Sequence, residues 1–253
     1  MKDQYILVAN WKMNKTIEEC GSFVDKFMNL ILHKPKSKVI FCPPFSALLY
    51  MDGLLKDTSF DLGAQNVYWE KEGAFTGEVS AEMLKSTGAT YVIVGHSERR
   101  QLFGDTDESV NKRLKAALSN GLTPIMCIGE TIKERKNENT LDVIGRQLKN
   151  GLDGISNLDI EKIIFAYEPV WAIGTGERAE PNMIDEVHND IRKVLNGLGV
   201  DGSDEIAILY GGSVNQNNIK ELLELNEVNG FLIGGASLDA DEYASIIHQS
   251  EQI

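Results

Sequence analysis

The sequence predicts a single-domain α/β protein of the (β/α)8 barrel class, on three observations. Short continuous apolar runs alternate with segments of helical period along the whole 253-residue chain. The alternation repeats eight times, the count and length of such a barrel. No composition shift or Pro/Ser-rich linker divides residues 1–253, and the six prolines stand singly or as Pro43-Pro44. A doubly wound open sheet would instead want Gly-x-Gly-x-x-Gly after its first strand, whereas here that strand ends in Asn10-Trp11-Lys12-Met13-Asn14.

The first strand is expected at 5–9, followed by a helix whose apolar face is Phe23, Phe27, Leu30 and Ile31. Strands at 39–42, 60–64 and 91–95 come next, and then a helix marked by Val110, Leu114, Ala117 and Leu118. A fifth strand spans 123–128 and a sixth 163–167, with a helix after the sixth carrying Ile184, Val187, Ile191 and Val194. Strands at 206–210 and 230–233 complete the set. None of the eight runs shows polar alternation, as a parallel sheet buried on both faces requires. Asn120-Gly121, Asn150-Gly151 and Asn196-Gly197 each offer a glycine for the left-handed position past a helix end.

Lysine and arginine number 25 against 38 acidic residues, a net charge of −13. That balance disfavours nonspecific binding to nucleic acid or to an anionic membrane surface. It leaves room for a small anionic substrate, because one lysine and a few helix N-termini can reverse the field inside a cleft. The three cysteines, Cys20, Cys42 and Cys127, are odd in number and widely spaced, so neither a disulfide framework nor a metal cluster is expected. No apolar run reaches membrane-spanning length and no signal peptide precedes the first strand, so a cytoplasmic protein with reduced thiols is expected.

In a barrel of this class, chemistry sits at the C-terminal ends of the strands. At the first junction, alternation puts the side chains of Asn10 and Lys12 on one face, toward the mouth. A cation there attracts an anionic substrate and steadies developing negative charge. At the fourth, Val94-Gly95-His96-Ser97-Glu98-Arg99-Arg100 places a histidine one glycine beyond a buried strand. A short helix starting there would favour a neutral ring, able to donate one N–H to a carbonyl oxygen.

At the sixth junction, Glu168 ends an apolar strand and Pro169 pins the chain behind it. The following loop, Val170-Trp171-Ala172-Ile173-Gly174-Thr175-Gly176, brings bare backbone at two glycines within reach of an anion. It reads as a base beneath a lid. Junctions seven and eight, Tyr210-Gly211-Gly212-Ser213 and Ile233-Gly234-Gly235-Ala236-Ser237, each place a glycine pair directly after a strand, the phosphate cradle of this fold. Cys127, at the end of the fifth strand, is expected as a small buried group. The third connection, 65–78 from Gln65 to Glu78, is long for its type and carries Tyr68, Trp69 and Phe75. Its aromatics favour insertion into a partner.

Together these motifs resemble triosephosphate isomerases from end to end: NWKMN, QNVYW, GAFTGE, GHSERR, CIGE, AYEPVWAIGTG, YGGSV and GGASL stand in family order. The resemblance implies a TIM barrel, named for these enzymes, that interconverts dihydroxyacetone phosphate and D-glyceraldehyde 3-phosphate through an enediolate, in glycolysis and gluconeogenesis. It implies that Glu168 moves the proton, that neutral His96 acts on the carbonyl oxygens, and that Lys12 and Asn10 position the substrate and stabilise the oxyanion. The phosphate would lie on backbone N–H groups of Gly174, Ser213, Gly234 and Gly235, with the Ser213 hydroxyl as a further donor. No cofactor or metal is implied. A homodimer is, with the third loop entering the neighbouring subunit, Thr76 approaching that subunit's Asn10 and Lys12, and Glu78 pairing with Arg99 across the interface. One departure lies past the lid glycines, where Glu177-Arg178-Ala179 replaces the family's lysine and small residue.

Overall fold

The computed structural model describes residues 4–172 and 179–252. Eight parallel strands close into a barrel in sequence order: β1 (Ile6–Asn10), β2 (Lys38–Cys42), β3 (Asp61–Ala64), β4 (Tyr91–Val94), β5 (Thr123–Ile128), β6 (Ile164–Tyr167), β7 (Ile208–Tyr210) and β8 (Gly230–Ile233). Closure comes from β1 pairing with both β2 and β8, Val8 standing opposite Ile40 on one side and Leu232 on the other. The barrel class expected from the alternation is thus the observed one.

Side chains alternate between two cores, as strand geometry dictates. Val8, Ile40, Ile93, Ile125, Ala166 and Leu209 belong to the cluster filling the barrel. Leu7, Phe41, Val92, Met126, Phe165 and Tyr210 face outward against the helices. The same two-residue period carries the inward face of β1 from Val8 to Asn10, and that of β6 from Ile164 and Ala166 to Glu168. The site residues therefore stand on top of the barrel core.

Eleven α-helices occur among the described residues: α1 (Ile17–Leu30), α2 (Leu48–Leu55), α3 (Ala81–Ser86), α4 (Ser97–Leu102), α5 (Asp107–Ser119), α6 (Ile132–Lys136), α7 (Thr140–Gly151), α8 (Asn157–Ile160), α9 (Pro181–Gly197), α10 (Ile219–Leu223) and α11 (Ala240–Ser250). The number exceeds one per strand because the β4 and β5 connections each carry additional short helices. Several starts are written in side chains. Thr16 with Glu19 and Thr131 with Glu134 form capping boxes, and Pro181 opens α9. None of the described helices is long and apolar enough to cross a membrane.

Two expected helix ends are displaced. Gly121 does take the left-handed conformation, at φ 72°. Gly151 and Gly197 instead remain inside α7 and α9, and the left-handed residues come later, at Gly154 and Gly199. Gly151 is small for packing: a Cβ there would collide with the Met126 methyl of β5. Strand β7 is also shorter than expected. Its lead-in carbonyl, at Ile206, accepts from Arg192 Nη1 at 2.9 Å, and the Asn229 side chain takes the Ile208 N–H at 3.0 Å.

Candidate active site

Asn10, Lys12, His96, Glu168, Ser213, Gly234 and Gly235, separated by up to 225 positions in sequence, all line one cavity of about 430 Å³ at the barrel mouth. Gly174, the other residue expected to touch substrate, lies outside the described residues, as do Glu177 and Arg178. Ala179, which follows them, is buried.

Glu168 is fixed from its backbone. Its N–H donates to Ile128 O of β5 at 2.7 Å, and Gly211 N–H donates to Tyr167 O at 2.8 Å, so this segment is stitched to strands on both sides. Only glycine fits beside it. A Cβ on Gly129 would collide with the Glu168 carbonyl oxygen, and one on Gly211 would lie 2.9 Å from Glu168 Cγ. Just beyond, Trp171 Nε1 donates to Glu130 at 3.0 Å, and the Tyr167 hydroxyl reaches both oxygens of the same carboxylate at 3.2 Å. The chain leaving Glu168 is thereby anchored at the start of its loop.

The carboxylate of Glu168, only 2 % exposed, has four donors around it. His96 Nε2 lies 3.0 Å from Oε1, the Ser97 backbone N–H donates to Oε2 at 2.9 Å and its hydroxyl to Oε1 at 3.4 Å, and the Cys127 thiol donates as well. Burial pushes this carboxyl up. The histidine and the other donors outweigh that and hold it below the usual carboxylate range.

His96 caps α4, with Nδ1 accepting the Glu98 backbone N–H at 3.3 Å. A nitrogen that accepts carries no proton, so the ring's proton sits on Nε2, facing Glu168. The expectation of a neutral ring weighed the helix terminus alone. Burial does work to lower the His96 pKa, but the adjacent Glu168 carboxylate, with help from Glu98, outweighs it and raises the ring's affinity for a proton.

Lys12 takes the left-handed conformation, at φ 53°, which is strained for a residue with a side chain. The turn is held by Lys12 N–H donating to Asn10 Oδ1 at 3.0 Å and by Gln65 Nε2 donating to Lys12 O at 2.8 Å. It aims the ammonium across the mouth to Glu98, 2.7 Å away. A Cβ on Gly234 would sit 3.2 Å from Lys12 Cε, so that glycine clears the lysine's path. Around Ser213, Asn218 Nδ2 donates to its carbonyl at 2.8 Å and fixes the loop after β7. The glycine pair after β8 leads into a 3-10 turn at Gly235–Ser237. A small anion in this cavity would meet one ammonium and open backbone on two loops.

Sequence reasoning missed four neighbours: Ser97 and Cys127 as donors to the Glu168 carboxylate, Glu98 as the resting partner of Lys12, and Gly129 as the surface on which Glu168 rests. Ser97 could have been found from its place as the first residue of the helix that follows His96. Cys127 is buried as expected, yet it also touches Glu168.

The third connection divides in two. Tyr68 and Trp69 stack at 4.1 Å, and Trp69 lies beneath the cations of Lys112 and Arg113 from α5, so these aromatics pack on their own barrel. Residues 71–78 are all exposed, Phe75 at 39 %. Arg99 pairs within the chain, its Nε donating to Asp105 at 3.1 Å.

The sequence profile described as triosephosphate isomerase matches residues 5–250. The chain is 45% identical over 246 residues to the triosephosphate isomerase of Endomicrobium trichonymphae, covering 97% of this chain and 98% of that protein. It is 48% identical over 243 residues to that of Dictyoglomus thermophilum, and 46% identical over 243 residues to that of Aquifex aeolicus, covering in each case 96% of this chain and 98% of the relative.

Proposed function

Since the chain belongs to the triosephosphate isomerase family, and is thus an isomerase acting on a phosphorylated triose, we propose that Glu168, His96, Lys12 and Asn10 carry the reaction in the roles below. The supporting observation is the 3.0 Å approach of His96 Nε2 to Glu168, at the edge of the cavity that Lys12 and the glycine pairs also line.

The substrate phosphate lies on the loops after β7 and β8, on N–H groups of Ser213, Gly234 and Gly235, with Gly174 and the Ser213 hydroxyl completing its donors. This places the carbonyl carbon and its neighbour between His96 and Glu168. Glu168 removes a proton from the carbon next to the carbonyl. The C–H electron pair becomes the second bond of the enediolate, and the negative charge moves to the carbonyl oxygen. His96 Nε2–H, freed from the carboxylate, donates to that oxygen, and Lys12 and Asn10 stabilise the same charge. His96 passes its Nε2 proton to that oxygen and takes the hydroxyl proton of the adjacent carbon in exchange, so the negative charge shifts to the adjacent oxygen and re-forms a carbonyl there as Glu168 returns its proton to the former carbonyl carbon. With the carboxylate replaced by a substrate oxygen at Nε2, the attraction that raised the ring's proton affinity is gone, and burial favours the neutral donor.

An enediolate beside a phosphate can expel it unless water is excluded. Gly174, if it donates to the phosphate, ties substrate binding to that exclusion. Residues 1–253 form one barrel domain, and the enzyme works as a cytoplasmic homodimer through the exposed part of 65–78. Thr76 enters the neighbouring mouth, and Glu78 meets the neighbouring Arg99. The exposed apolar side chains of Met13, Phe45, Phe75, Leu102 and Phe103, on the connections after the first four strands, support this surface. The charge of −13 disfavours nonspecific binding to nucleic acid or to an anionic membrane.

A coupled assay in D2O tests the roles. The wild type should turn over glyceraldehyde 3-phosphate and place solvent deuterium on carbon, while Glu168→Gln should do neither. Carbon exchange at the wild-type rate in that variant would remove Glu168 from the mechanism.

A further inference from the structure

The β4–β5 ladder ends at Val94 opposite Met126. The next pair in register, Gly95 and Cys127, lies where the chain leaves the sheet to deliver His96, and Gly95 turns left-handed there, at φ 72°. A guanidinium continues the ladder in place of backbone. Arg100 of α4 donates from Nε to Gly95 O at 2.8 Å, from Nη2 to Cys127 O at 3.3 Å, and from Nη1 to Asp107 Oδ1 at 2.8 Å. Asp107, in the first turn of α5, is gripped on its other oxygen by Arg146 of α7. Both bridged carbonyls adjoin the reacting pair. Gly95 precedes His96, while Cys127 gives its thiol to Glu168 and is followed by Ile128, whose carbonyl accepts the Glu168 N–H.

We propose that Arg100, oriented by Asp107, is a positioning residue for the isomerisation: it closes the seam between β4 and β5 and so sets His96 against Glu168. The proposal rests on the roles given to those two residues above. Arg100 is absent from the lining of the substrate cavity, so it acts through them. A planar fork can serve three acceptors in three directions. A lysine offers one nitrogen and cannot span both carbonyls and the carboxylate together.

The arrangement allows a direct test by chemical rescue. On its outer side Arg100 borders a second cavity of about 560 Å³, which Asp107, Gly129 and Glu168 also line. Shortening the side chain therefore leaves a gap that a small cation can reach. Arg100→Ala and Arg100→Lys are assayed with and without ethylguanidinium at non-denaturing concentration, with tetramethylammonium at equal ionic strength as control. For a folded Arg100→Ala, kcat should fall roughly 100-fold with KM little changed, because about an ångström of misplacement costs that much. Ethylguanidinium should restore roughly 10-fold of it in a saturable manner, the control cation none, and the lysine variant should stay impaired.

Unchanged kcat, or a loss that ethylguanidinium restores no better than the control, overturns the proposal. If the alanine variant does not fold, Asp107→Asn takes its place: a lowered kcat at preserved KM supports the clamp, and wild-type kcat refutes it. Glu168→Gln is assayed alongside. If it is inactive while Arg100→Ala is fully active, the positioning role alone fails; if it is active, the reading of the base fails first.

Discussion

His96 Nε2 lies 3.0 Å from Glu168 Oε1, with both side chains almost wholly buried. The two side chains thus hold one another in the resting site, and in the proposed mechanism each must be released by substrate. Reach is then critical for the carboxylate. Glu168→Asp retracts it by a methylene and leaves the phosphate loops untouched. kcat should fall roughly 100-fold with KM nearly constant, read in a coupled assay. A variant at wild-type kcat would show that Glu168 is not the base.

The same contact governs pH dependence. The folded pKa of Glu168 lies below its ordinary value. Its ionised form therefore contributes stability above the ordinary carboxylate pKa, and that contribution is lost as pH falls through the depressed folded value. In His96→Gln the attraction disappears while burial remains, so the carboxyl pKa must rise. The acid limb of kcat/KM should move to higher pH than in the wild type; ionisation of the substrate phosphate is common to both and cancels. Acid-induced loss of melting temperature should also begin at higher pH. Superimposable profiles would exclude His96 from control of the base.

What was legible in the sequence follows from what is periodic or local. Continuous apolar runs report burial on both faces, so the eight strands and their parallel order could be read directly. Asn10, Lys12, His96 and Glu168 could be placed at the mouth because each stands at a strand end. Contacts between elements could not be read. Nothing near Cys127 in sequence signals that its thiol meets Glu168, and nothing near Gly151 signals the Met126 methyl that occupies the space a side chain would need. The Asn-Gly pairs misplace two helix ends because that signal reports only conformational permission. Packing decides whether the permission is used.

Among the described residues, Lys12 is the one cation lining the mouth cavity. Lys12→Met would leave Glu98 unpaired beside an anionic substrate, so the local field changes sign. KM should rise and kcat/KM should fall by roughly 1,000-fold, as for removal of a preorganised charge donor, with the loss growing as ionic strength is lowered. A KM equal to that of the wild type would show that the lysine does not meet the substrate.

Thr76 stands in the exposed part of the third connection, next to Phe75. Thr76→Arg would put a bulky charge where the partner's mouth is proposed to receive a small hydroxyl. Sedimentation should show dimer converted to monomer at micromolar concentration, with kcat/KM reduced roughly 100-fold through the loosened mouth. An unchanged dimer with full activity, or a wild-type enzyme that sediments as an active monomer, would move the interface elsewhere.

Gly129 and Gly145 separate two reasons for a glycine. At Gly129 a Cβ would collide with the backbone oxygen of Glu168. Backbone cannot rotate aside as a side chain can, so either β5 or the base must shift. Gly129→Ala should lose about 3 kcal/mol of stability, at the upper end for overpacking, and should also lower kcat, since the group displaced is the proposed base. At Gly145, inside α7, a Cβ meets nothing within 4 Å. Gly145→Ala should therefore gain up to about 1 kcal/mol from helix propensity alone and leave kcat as it was. Urea denaturation of the two variants, with kcat measured on each, distinguishes the cases. Equal and small effects at both sites would mean that the chain from Gly129 to Glu168 yields without cost, and the base would then not be held by the close approach of these two backbones.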